Sequence, residues 1–104
     1  MKRIAFKMKL KAGFEEEYEK RHEKVWPEVE LELKKAGVSD YSIFLDPETN
    51  TLFEVQKLTD DHSYDQLPRK EIMQKWDKFM SDILESNPDN SPVMAELKEV
   101  YRLD

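Results

Sequence analysis

The chain predicts an α+β protein in which an antiparallel four-stranded sheet carries two helices on one face, threaded in the order β-α-β-β-α-β. Three observations predict it. Apolar residues alternate strictly from Arg3 to Leu10, which is the period of a strand with one buried face. After Gly13 the spacing changes to Phe14, Tyr18, Val25, Val29 and Leu33, the period of a helix. Two further strand-like runs are then joined by turn residues and followed by a second helical pattern.

Each element has its own justification. In the first strand Ile4, Phe6, Met8 and Leu10 share a face, and Arg3, Ala5, Lys7 and Lys9 share the other. The first helix is expected from about Phe14 to Ala36, with Gly37 as its stop. Pro27 lies within it, where proline removes an amide donor and clashes with the preceding turn, so a kink or break is expected close to Trp26. Asp40 to Asp46 reads as the second strand, with Tyr41, Ile43 and Leu45 on one face, and Thr51 to Leu58 as the third. The intervening Asp46-Pro-Glu-Thr-Asn50 makes this pair a hairpin. Asp60 and Asp61 are placed to cap a short helical stretch through Leu67. Ile72, Trp76, Phe79, Met80 and Ile83 mark a second helix ending near Glu85. Asn87 to Pro92 holds two prolines, two asparagines and a serine, which is turn chemistry or a linker, and Leu97 to Leu103 reads as the final strand. This order is the ferredoxin-like, split βαβ arrangement. A sheet covered on one side leaves its second side to water, ligand or partner, and Phe44 and Phe53 on strands favour a second copy of the sheet.

Composition narrows the function classes. At 104 residues the chain is read as one domain spanning 1–104, small enough that self-association would bury useful surface. With no cysteine, disulfide frameworks and thiolate metal sites are excluded. The two histidines, His22 and His62, are far apart and neither stands in a metal-ligand spacing, so no metal is expected. Seventeen basic residues against 23 acidic give a net charge of -6, a field that repels nucleic-acid backbones and anionic lipid. No apolar run approaches the roughly 20 residues that span a bilayer, and Met1-Lys-Arg-Ile4 lacks the apolar core of a signal peptide, so no membrane partner and a cytoplasmic location are expected. Gly13 and Gly37 belong to no phosphate-cradling motif, and there is no Gly-x-Ser-x-Gly elbow. No cofactor is expected.

The chemistry concentrates around His22. On a helix, positions four apart share a face, so Tyr18, His22 and Trp26 present a phenol, an imidazole and an indole in one stripe. An imidazole with an ordinary pKa of about 6.5 exchanges protons near neutrality. Tyr41 on the second strand and Trp76 on the second helix are further aromatic candidates. Sugars stack their apolar C–H faces on such rings while their hydroxyls bond at the rim. The competing structural readings are ordinary: aromatic residues at helical spacing are commonly core, and a lone histidine is commonly a satisfied packing residue.

Three segments carry a family resemblance. Tyr18-x-x-Arg21-His22-x-x-x-Trp26-Pro27-Glu28, the strand Tyr41-Ser-Ile-Phe-Leu-Asp46 and the loop Asn87-Pro-Asp-Asn-Ser-Pro-Val93 resemble, in spacing and order over the whole chain, the L-rhamnose mutarotase family. The resemblance implies a dimeric α+β barrel, an isomerase interconverting the α and β anomers of L-rhamnose, and a homodimer formed through the sheets. It implies His22 as proton donor and Tyr18, Tyr41 and positions 76 and 77 as sugar contacts. Family members often carry two adjacent tryptophans where this chain has Trp76-Asp77, so a carboxylate replaces one ring. Two rival readings are a cofactor-free small monooxygenase of the same fold, acting on electron-rich quinol-like substrates, and a non-catalytic small-ligand module.

Overall fold

The computed structural model describes residues 1–104. Its elements are β1 (Lys2–Lys9), α1 (Glu15–His22), α2 (Pro27–Lys35), β2 (Val38–Asp46), β3 (Thr51–Leu58), a 3-10 helix (Tyr64–Arg69), α3 (Glu71–Met80) and β4 (Met94–Glu96). The four strands form one sheet in the order β2-β3-β1-β4, with every neighbouring pair antiparallel. This is the expected α+β topology. No helix is long and apolar enough to cross a membrane.

The first helix breaks where proline requires it. α1 ends at His22, and Pro27 opens α2 at a position whose amide needs no helical partner. Trp26, held extended ahead of the proline at ψ 130°, is the joint. Gly37 closes α2 with φ +91°, and a Cβ there would collide with the Thr59 hydroxyl, so only glycine fits the turn.

Three expectations need correction. The second helix stops at Met80, and Ile83 and Leu84 enter the core from the turn beyond it. The segment after Asp60-Asp61 is a 3-10 helix that begins only at Tyr64 and has no side-chain cap. His62, just ahead of it, is half-buried and its Nδ1 accepts the Tyr64 amide at 3.3 Å. The final strand is Met94–Glu96, paired with Phe6–Met8, and the ladder ends at Leu97 N–H donating to the Ala5 carbonyl at 2.8 Å. Residues 98–104 have no regular structure, and Val100, Tyr101 and Leu103 are 86%, 77% and 83% exposed. Alternation in sequence reports which side chains share a face, not whether a strand edge is there to pair with.

The core lies in two parts on the helix-covered face of the sheet. Met8, Leu10, Leu52, Tyr18, Met80, Ile83 and Leu84 pack at one end, and Ile4, Val38, Leu58, Ala36 and Leu67 at the other. Between them, inward positions of the central strand β3 are occupied by Glu54 and Gln56. Polar groups there break the continuity of the apolar layer, and a cavity of about 800 Å³ opens in the interval between sheet and helices.

Candidate active site

Helix α1 places its last turn along the cavity, so Tyr18 and His22, one turn apart, both line it. Their rings stack at 4.3 Å, and the His22 ring meets Trp76 of α3 in a T-shaped pair with centroids 5.7 Å apart and planes at 86°. The His22 Nδ1 lies 3.0 Å from the Tyr18 carbonyl oxygen. A carbonyl only accepts, so Nδ1 carries the hydrogen and Nε2 is the free nitrogen of a ring that lines the cavity. Burial lowers the His22 pKa, and the bond to the Tyr18 carbonyl partly restores it.

Trp26 has a different place from its stripe partners. The break turns it away from the cavity, and it packs against Trp76 at 5.1 Å and Phe79 at 5.3 Å, holding Trp76 from behind. Arg21, next to His22, locks the same region. Its Nε donates to Glu17 at 2.7 Å, its Nη1 to the Phe79 carbonyl at 2.8 Å, and its two terminal nitrogens to Asp82 at 2.9 and 3.2 Å. These bonds tie the end of α1 to the end of α3.

Tyr41 reaches the cavity through a backbone irregularity. Val38 pairs with Leu58 and Ser39 with Lys57, but Ser42 pairs with Val55, so Asp40 and Tyr41 together oppose Gln56. Asp40 takes φ 48° at this bulge, and its carboxylate is held by Lys57 at 3.0 Å. The extra residue reverses the parity of β2, so Val38 and Tyr41, three apart, both face inward. Tyr41 and Asp77 both line the cavity. Burial, with the neighbouring charge of Asp89, lifts the Asp77 pKa to about 6.

All five sequence candidates, Tyr18, His22, Tyr41, Trp76 and Asp77, therefore line one cavity. Sequence reasoning missed three polar members of the same wall: Glu54 and Gln56 on β3, and Tyr64 of the 3-10 helix. The available signal was the parity Leu52, Glu54, Gln56, Leu58, in which two polar residues sit between two leucines on one face. The opposite parity, Phe53 and Val55, is also apolar and masks it. Asn90, Ser91 and Pro92 also contribute, so the Asn87–Pro92 segment is an ordered loop at the cavity rather than a linker. No group of three His, Cys, Asp or Glu side chains is arranged to hold a metal ion.

Sheet, helical cover and the cavity between them define a ferredoxin-like α+β protein with a candidate binding site between the sheet and its helices. A conserved protein of Methanosarcina mazei Go1 shares this fold at TM-score 0.62 and 19% identity, covering 93% of this chain and 90% of that one. Residues 3–103 match the family model described as L-rhamnose mutarotase, and the chain belongs to that family. The L-rhamnose mutarotase of Bacteroides thetaiotaomicron is 56% identical over 104 residues, all of both chains, and that of Listeria monocytogenes 50% identical over 103 residues, 99% of each. The crystal structure of an L-rhamnose mutarotase from Formosa agariphila superimposes at TM-score 0.93, with 50% identity and complete coverage of both chains.

Proposed function

We propose that this protein is an isomerase of the cytoplasm that interconverts the α and β anomers of L-rhamnose. The observation that carries the reading is the His22 ring, its Nδ1 tied to the Tyr18 carbonyl and its Nε2 free, in a cavity walled by aromatic residues. Mutarotation requires protonation of the pyranose ring oxygen, loss of the anomeric hydroxyl proton and rupture of the bond between C1 and the ring oxygen. The aldehyde then turns about its bond to C2 and closes on either face. His22, as imidazolium, delivers the proton to the ring oxygen. A donor whose pKa burial has lowered is a stronger acid present in smaller amount, a compromise that favours rapid proton transfer.

Tyr18, Tyr41, Trp76 and Asp77 hold the sugar. The Trp76 ring offers an apolar surface to the C–H face and to the 6-deoxy methyl group, and Asp77 offers a carboxylate to a hydroxyl. The reaction needs no cofactor.

The sheet's outer face supports a two-fold homodimer. Phe44 and Phe53 are cross-strand partners on it, beside Val55 and Ala5, and Phe44 is 62% exposed in one protomer. The exposed apolar side chains of residues 98–104 add to the surface a second copy would bury.

The test is anomer exchange on freshly dissolved L-rhamnose, followed by optical rotation or saturation-transfer NMR. Acceleration by protein treated with a chelator is expected. A ligand-binding module would leave the rate unchanged, and a monooxygenase would act on quinol-like substrates instead.

A further inference from the structure

Opening a pyranose takes two proton transfers, at two oxygens on one carbon, and His22 supplies only one of them. The floor of the cavity holds a second titratable group. Glu54 lies midway along the central strand β3, 6% exposed, and Gln56 lies two residues further on at 0%. Gln56 Nε2 donates to Glu54 Oε1 at 3.1 Å, while Gln56 Oε1 is buried without a hydrogen-bond partner. None of the chain's ion pairs includes Glu54. A carboxyl group buried in a sheet with no cation beside it is costly to fold and calls for a use.

The groups around Glu54 come from each packed element. Gln56 on its own strand donates to it, and the Tyr41 phenol on β2 favours its charged form. Tyr18 on α1 and Tyr64 on the 3-10 helix sense its charge, and Asp77 on α3 lies near enough to repel it. Its cross-strand partners, Phe6 on β1 and Ile43 on β2, are apolar, and Glu96 of β4 lies beyond Phe6. Tyr18 connects the two sides of the site, since its ring stacks on His22 and its phenol lies near enough to Glu54 for the charge to disfavour its ionisation.

We propose that Glu54 is the base of anomer exchange, taking the anomeric hydroxyl proton while His22 on the helical wall protonates the ring oxygen. The proposal rests on the mutarotase reading. The balance is complete: the hydroxyl proton passes to the Glu54 carboxylate, Nε2 gives its proton to the ring oxygen, the bond from C1 to the ring oxygen breaks and the C1 carbonyl forms. Closure reverses each transfer. Gln56 holds the carboxylate in place through Nε2 and offers its unpartnered Oε1 to a sugar hydroxyl.

Burial raises the Glu54 pKa above 4.5 and lowers that of His22 below 6.5. The carboxylate form of Glu54 is lost as pH falls through its raised pKa, and the imidazolium of His22 is lost as pH rises through its lowered one. The turnover rate therefore follows a bell whose acid limb belongs to Glu54.

The deciding variant is Glu54→Gln, which keeps the volume and the hydrogen-bonding ability and removes the base. Turnover and KM measured between about pH 4 and 9 should show a fall in kcat of about 10²-fold or more, KM within a few-fold, and loss of the acid limb. Glu54→Asp, which withdraws the carboxylate by one methylene, should keep the limb at reduced rate. A folded Glu54→Gln protein with near wild-type kcat, or with its acid limb intact, overturns the proposal while an active wild type leaves the mutarotase reading standing. Should Glu54→Gln fail to fold, a Glu54→Asp protein turning over at the wild-type rate overturns it equally. A wild type that leaves exchange at the spontaneous rate refutes the mutarotase reading itself.

Discussion

Asp77 follows Trp76 on α3, and its surroundings make its charge expensive. Its pKa is raised to about 6 by burial first and Asp89 second, so the folded protein holds a proton that the unfolded chain has already released between pH 3.8 and about 6. Stability attributable to this group is therefore greatest at low pH and falls as pH rises through that window. Asp77→Asn should raise the melting temperature at pH 7.5, by about 1 kcal/mol of stability once screening by water at the half-buried carboxyl is allowed for, and have no effect near pH 4. Equal stabilisation at both pH values would refute the charge argument. At this scale the sequence was uneven in what it revealed. Tyr18 and His22 were visible because four-residue spacing has one geometric meaning on a helix, whereas Asp77 entered only through the family resemblance. Glu54 was not, because β3 carries apolar residues on both parities, and only its pairing with β1 decides which face is inside.

Among the elements, the break after α1 does most to form the site. Pro27 compels it, Trp26 makes the turn and buttresses Trp76, and Arg21 fixes the end of α1 to Phe79 and Asp82 at the end of α3. Arg21→Met retains the apolar stem and removes the bonds. It should cost about 1–3 kcal/mol, read as a lowered denaturation midpoint, and slow exchange because the His22 ring loses its anchored backbone. A variant with unchanged midpoint and rate would show that this clamp is dispensable. Proline's chemistry made the break legible in the sequence, as glycine did the stop at Gly37. The bulge at Asp40 and Tyr41 was not legible, since its position follows from the register with β3, and the shortness of β4 was hidden by an alternating pattern that continues after pairing has ended.

At the scale of the molecule, only 15 of 104 residues are buried, and the helix-free face of the sheet carries an aromatic pair, so one protomer leaves apolar surface uncovered. Light scattering should give twice the 12.5 kDa chain mass, and Phe44→Asp should shift it toward the monomer. A wild type that is monomeric and fully active would contradict the dimer. The central claim, that His22 carries the donor proton of L-rhamnose anomer exchange, is tested most directly by saturation-transfer NMR of L-rhamnose with wild-type and His22→Ala protein, each sample's melting temperature being recorded alongside. The account predicts rapid exchange with wild type and a loss of about 10²-fold or more in a His22→Ala protein that melts normally. A folded, thermally normal His22→Ala protein exchanging anomers at near the wild-type rate would contradict it.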